Sequence, residues 1–144
     1  PRARFIVCRR DPMDNCLSLF RQLLTGGNEY SHRLENLGDY YRLHFELVSH
    51  WREVLPERLV VSRYEDLILE QEREVRRLLD FSDLPFDQAC LSHHENRRVV
   101  RSPNASQVRQ PIYSSSIGAW KHYEKELEPL HAALGRLRRD SRLN

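Results

Sequence analysis

The sequence predicts an α/β fold, a small parallel sheet with flanking helices that is mostly helical by residue count. Three observations lead there. Phe5-Ile6-Val7-Cys8 and Leu59-Val60-Val61 are short continuous apolar runs, the pattern of strands buried on both faces. Each run is followed by a stretch of helical periodicity, and strands alternating with helices build parallel sheets. Two strands are few for such a sheet, and residue 1 stands just before the first of them, so the chain reads as a sheet whose first half is absent.

The elements follow in order. Arg9 and Arg10 end the first run, and Asp11-Pro12 opens a helix, with Asp capping free amides and Pro at the first helical position. Asp14 adds negative charge to the first turn, favourable against the helix dipole. Met13, Cys16, Leu17, Phe20, Leu23 and Leu24 recur at helical spacing until Gly26-Gly27 stops them. Leu37 to Leu55 is a longer helix with Tyr41, His44, Phe45, Val48, Trp51 and Leu55 on one stripe, closed by Pro56. The second strand runs into Arg63-Tyr64-Glu65-Asp66-Leu67. A charged helix covers about Leu69 to Leu79, with Val75, Leu78 and Leu79 facing inward, and Asp87 to His93 makes a short helical piece. His94 to Ser116 has no apolar period and holds Arg97, Arg98, Arg101 and Arg109; loops this long are usually functional or disordered. A helical pattern resumes over Ile117 to Tyr123, and a helix from Glu126 to Leu137 closes the chain.

Composition sets outer bounds. At 144 residues, with 40% hydrophobic and 31% charged, the chain is one globular domain or part of one. No run approaches a membrane span, and no basic-then-apolar leader precedes the first strand. Cys8, Cys16 and Cys90 are odd in number and lack metal-ligand spacing, which suits a reducing cytoplasm; Cys8 and Cys16 read as small core residues. The net charge is only +2, yet 21 of the 23 basic residues are Arg, leaving Lys121 and Lys125. That bias reflects either a GC-rich genome or guanidinium forks set for phosphate and carboxylate. Position must decide.

The first candidate position is the end of the first strand. A parallel strand delivers its last residue to the carboxyl edge of the sheet, where ligands of α/β folds bind. Arg10 there, beside a helix N-terminus, makes an anion site, and Ser18 lies on the same side of the helix. On periodicity alone, a surface serine and an arginine paired with Asp11 or Asp14 are the better reading.

The segment Val7-Cys8-Arg9-Arg10-Asp11-Pro12-Met13-Asp14-Asn15-Cys16-Leu17-Ser18-Leu19-Phe20 resembles the 3′-phosphate-binding segment of sulfotransferases that use 3′-phosphoadenosine 5′-phosphosulfate (PAPS). The resemblance implies that Arg10 and Ser18 hold the 3′-phosphate. Val61-Ser62-Arg63-Tyr64-Glu65-Asp66-Leu67 is similar to the Tyr-Glu-Asp-Leu segment of the same family, which gives Tyr64 to the adenine. Gln107 to Lys121 resembles the closing loop and helix of the bacterial, tetratricopeptide-repeat-associated members, which relate to tyrosylprotein sulfotransferases. Ser114, Ser115 and Ser116 would offer hydroxyls and amides to phosphate there, Lys121 a point charge, and Arg109 a fork. Where cytosolic members carry Arg-Lys-Gly, this chain has Tyr113-Ser114-Ser115, so Arg109, Arg101 or Arg98 would supply the neutralising charge.

The resemblance implies a partial P-loop-type domain, residues 1–144 forming its C-terminal portion without the first strand, the phosphate loop or the general base. No GxxxxGK[ST] run occurs. The expected reaction of the intact enzyme is sulfuryl transfer from PAPS to a hydroxyl or amine, releasing 3′-phosphoadenosine 5′-phosphate (PAP), with no metal and with this chain inactive alone. His93 and His94 are weaker substitutes for the base. Other readings are an Arg-rich nucleic-acid or partner-binding module, using Arg97 to Arg109 and Arg136-Arg138-Arg139, a non-catalytic remnant, and a homo-oligomer or an added N-terminal repeat domain. The balanced net charge argues against nucleic acid, and the acceptor is not legible.

Overall fold

The computed structural model describes residues 3–22, 24, 26–96, 98–99, 107–135 and 137. Strand β1, Phe5–Arg9, pairs in parallel with β2, Leu59–Arg63, in a register that sets Phe5 against Leu59 and Arg9 against Arg63. Helix α1, Pro12–Arg21, follows β1 directly. A short 3₁₀ turn at Glu29–His32 leads into α2, Leu34–Val54, which returns the chain to the start of β2. Beyond β2 lie α3, Tyr64–Leu69, and α4, Gln71–Phe81. Short 3₁₀ turns at Gln88–Leu91, His93–Glu95, Gln107–Arg109 and Ala119–Tyr123 precede α5, Glu128–Leu134. The α/β class and the small parallel sheet are as the sequence predicts.

The core is not where the apolar runs place it. Met13, Cys16 and Leu17 of α1, Leu37, Tyr41 and Phe45 of α2, and Leu127, Leu130, Leu134 and Leu137 form one buried cluster made by helices and their ends. The sheet is half-open: Phe5, Ile6 and Cys8 are exposed, because the two strands are the whole sheet among the described residues. The expectation that both strands are buried, and Cys8 with them, is thus corrected. Phe20, His44 and Trp51 are likewise exposed, since the helices bury only the face turned toward one another. The charged helix expected over about Leu69 to Leu79 is α4, and a break at Glu70 separates it from α3. Leu23 and part of the long loop, including Arg97 and Arg101, fall outside the described residues, as do Arg136, Arg138 and Arg139.

The outer edge of β2 is closed by α4. Arg77 donates to the Val61 carbonyl at 2.9 Å while Glu74 accepts from Arg77 and, at 2.8 Å, from Ser62 Oγ. The Arg77 hydrogen bond holds the Glu74 carboxyl below its ordinary pKa, against the opposing effect of burial. A strand edge satisfied by a side chain is a poor template for further pairing.

Helices α2 and α5 meet at Gly38. A methyl group built there would lie 2.4 Å from Ala133 Cβ, so only glycine permits this approach. Gly38→Ala should lower stability by about 1–3 kcal/mol through overpacking, outweighing the ~1 kcal/mol gained in helix propensity. Adding Ala133→Gly should recover most of the loss in urea denaturation. A stabilising Gly38→Ala would contradict so close a crossing.

Candidate functional site

Local rules bring the first residues into place. β1 carries Arg9 and Arg10 to the carboxyl edge of the sheet, and Asp11 caps α1 by accepting from the amides of Met13 and Asp14, each at 3.0 Å. The Asp11 amide donates to Glu65 Oε1 at 2.8 Å, which ties this cap to the first turn of α3.

Arg10 then joins three segments. Its guanidinium carbon stands 5.0 Å from the centroid of the Tyr64 ring, and its Nη2 donates to the Ser116 carbonyl. The Tyr64 hydroxyl and Ser116 Oγ, 2.7 Å apart, close the triangle. Tyr41 donates to the Arg10 carbonyl at 2.9 Å. The Arg10 Nε is buried with no hydrogen-bond partner among the described residues. An unmet buried donor costs about 1–3 kcal/mol, so the site holds donor capacity that a bound anion would use.

Asp14 holds the third segment. The residue is 2% exposed, and its two oxygens accept from the Gly118 amide at 2.6 Å and the Trp120 amide at 3.0 Å. Gly118 has φ +72°, a left-handed conformation that glycine adopts without strain. Asp14 therefore fixes where Ser116 can sit.

Around these contacts lies a cleft of about 650 Å³, whose wall includes Arg9, Arg10, Ser18, Arg21, Tyr64 and Ser116. Ser18, on α1, lines this space. A second, largely apolar cleft of about 580 Å³ shares Tyr64 and Tyr113 with the first and is completed by Leu67, Ile68, Val75 and Ile112. Both volumes are in the range of small-molecule sites, about 300–1,000 Å³.

Of the eight residues nominated from sequence, the first cleft gathers Arg10, Ser18, Tyr64 and Ser116. Ser114 and Ser115 are exposed and do not line it; the Ser114 carbonyl accepts from the Ile117 amide at 2.9 Å. Lys121 is exposed, with its methylene chain beside Gly118. Arg109 is exposed and donates to the Arg98 carbonyl at 3.5 Å. His93 lines the apolar cleft, and the Nδ1 of the neighbouring His94 is buried with no hydrogen-bond partner among the described residues. Sequence reasoning missed the role of Asp14. An acid between the apolar residues Met13, Cys16 and Leu17 was the available signal.

Burial pushes the Cys16 thiol up to about 12, with Asp11 adding to it. Burial likewise pushes the Tyr41 phenol up to about 12, against the pull of Arg9. Among the described residues no three His, Cys, Asp or Glu gather to hold a metal ion, and no helix is long and apolar enough to cross a membrane.

The sulfotransferase family model matches residues 1–88, more than half of the chain, and the chain belongs to that family. It is also 30% identical, over 133 residues, to an uncharacterized protein of Aquifex aeolicus (strain VF5). That match covers 90% of this chain but 18% of the relative, so the chain spans less than a fifth of the relative's length.

Two outcomes are expected. Asp14→Ala leaves two backbone amides without acceptors and should cost about 3 kcal/mol, at about 1–3 kcal/mol for each buried donor. Asp14→Asn, which keeps one acceptor, should cost less, and equal urea midpoints for all three proteins would refute the anchor. The second outcome concerns pH. Cys16 and Tyr41 have folded pKa values above their ordinary 9.0 and 10.0. From about pH 9 to 12 the unfolded chain therefore releases protons that the folded chain keeps, and stability falls as pH rises. Denaturation midpoints measured across that window should decline, less steeply at its lower end in Cys16→Ala.

Proposed function

We propose that this chain is the nucleotide-binding, C-terminal portion of a PAPS-dependent sulfotransferase domain and carries the 3′-phosphate and adenine side of the site. The observation that supports it most is the convergence of Arg10, Ser18, Tyr64 and Ser116 on one cleft, with an apolar cleft sharing Tyr64. An adenosine 3′-phosphate is a dianion joined through a sugar to an apolar plane, and it matches an anion cleft that abuts an apolar one.

In this reading Arg10 supplies the fixed charge. Its Nε is buried with no hydrogen-bond partner among the described residues, and its guanidinium carbon lies over the Tyr64 ring. The Ser18 hydroxyl donates to a phosphate oxygen from the first helix. The free amides of the α1 N-terminus are satisfied by Asp11, so the anion is held by side chains more than by the helix end. Tyr64, with Ile112 and Leu67, offers the purine a flat apolar wall.

The reaction of the whole enzyme forms an acceptor O–S or N–S bond as the bond from sulfur to the 5′-phosphate oxygen breaks. PAP leaves, and the acceptor's proton passes to a base. In-line positioning and stabilisation of the leaving phosphate carry such a transfer. No GxxxxGK[ST] run is present to grip the 5′-phosphosulfate, so the chain alone binds nucleotide and does not turn it over.

The test is calorimetric titration of the 144-residue chain with PAP, beside Arg10→Ala and Ser18→Ala. Weak binding by the parent is expected, reduced about tenfold or more in each variant, since a charged hydrogen bond contributes about 1.5–3 kcal/mol. No binding by a chain with intact circular dichroism, or binding indifferent to both substitutions, would reject the reading.

A further inference from the structure

Helix α2 carries two apolar faces, and the core takes one of them. Leu37, Tyr41 and Phe45 are buried in the helical cluster. Tyr40, Leu43, Leu47, Trp51 and Val54 are between 43% and 60% exposed. At roughly 100° per residue these five fall within an arc of about 80°, in a stripe about 21 Å long. Tyr40, Leu47 and Val54 repeat every seven residues, and Leu43 follows the first of them by three. That is the seam pattern by which one helix packs along another.

The stripe is continuous and braced. The rings of Tyr30 and Tyr40 stack with centroids 4.1 Å apart, and His50 stands edge-on to Trp51 at 5.4 Å. Five half-exposed side chains of this size make a patch on the order of 300–600 Å², the range of the largest apolar patch on a soluble monomer and often a functional one. Aromatic rings such as Tyr40 and Trp51 are the residue types that anchor interfaces.

The charges beside the stripe say what fits it. Along the Leu43 side run Asp39, Glu46 and Glu53, all exposed and again seven residues apart. Arg42 pairs with Asp39 at 3.0 Å from the side of that rail away from the stripe. The opposite edge holds His44 and then the buried face. A second copy of α2 is a poor match. Antiparallel pairing would set Asp39 against Glu53 and Glu46 against its twin, and parallel pairing would set the acids against His44 and Trp51. An anionic lipid surface is opposed by the same acids. The complement is a helix whose own apolar stripe is edged by Lys or Arg.

We propose that the outer face of α2 is a docking surface for a basic amphipathic helix of a partner protein. The partner's apolar stripe lies along Tyr40, Leu43, Leu47, Trp51 and Val54, and its cations lie along Asp39, Glu46 and Glu53. The surface stands apart from the nucleotide reading, which uses none of these residues.

Fluorescence anisotropy of two labelled three-heptad peptides tests it. One has Leu at both seam positions of each heptad and Lys at both flanking positions; the other has Glu in place of Lys. The 144-residue chain should bind the basic peptide, and the acidic one at least about tenfold more weakly, as favourable charge pairs become repulsions. Leu43→Ser/Leu47→Ser should weaken the basic peptide about tenfold or more without changing circular dichroism, since both side chains are exposed in the free chain. Glu46→Lys/Glu53→Lys should reverse the preference toward the acidic peptide. Equal affinity for the two peptides, indifference to either double substitution, or no binding by a chain shown to be folded would overturn the proposal. So would a dimer in light scattering that Leu43→Ser/Leu47→Ser dissolves, which gives the face to a second copy. Adsorption to phosphatidylglycerol vesicles without peptide binding would give it to lipid and overturn the proposal equally.

Discussion

A buried carboxylate with two backbone amides on it is a demanding arrangement, because the charge has left water and must be repaid by geometry. Asp14 meets that demand with the amides of Gly118 and Trp120, and other contacts of the site follow from it. It sets the height of the closing segment above α1, which brings the Ser116 carbonyl to Arg10 and the Ser116 hydroxyl to Tyr64. Trp120, anchored by its amide, packs on the helical core. One side chain thus connects the strand end, the first helix and a segment more than a hundred residues away.

The division of labour between helices and sheet gives that contact its footing. The helices own the core, from Met13 to Leu137, while the strands are half-open and serve mainly to hold Arg9, Arg10 and Arg63 at one edge. α4 covers the outer side of β2 through Arg77 and Glu74, so the sheet's free side is that of β1. Charge collects where the strands end, because that edge is the one place where several chain segments arrive together.

Much of this was legible in the sequence, and the limits have physical causes. The Asp11 cap, Pro12 at the helix start, the stop at Pro56 and both strands obey local rules, and all are found. The α1 stripe was legible only in part: Met13, Cys16 and Leu17 are buried, but Phe20 is not, since neighbour packing and not periodicity decides how far along a helix burial extends. Strand burial was misread for a related reason, as an apolar run reports affinity for a partner and not its presence. The pairing of Arg10 with the Ser116 carbonyl, and of Asp14 with two amides, depends on contacts 104 to 106 residues apart that no local pattern encodes. Arg10, Ser18 and Tyr64 were reached through family resemblance; their meeting in one cleft needed coordinates.

The core also dictates an order of events during synthesis. Leu130 and Leu134, both fully buried, join a cluster that includes Met13, so the apolar face of the first helix is covered by a helix more than a hundred residues further on. Contacts of such long range make folding slow relative to helical proteins with local packing. Until α5 docks, the apolar stripe of α1 and α2 that it covers stays open to water, and such a stripe invites chaperones and aggregation.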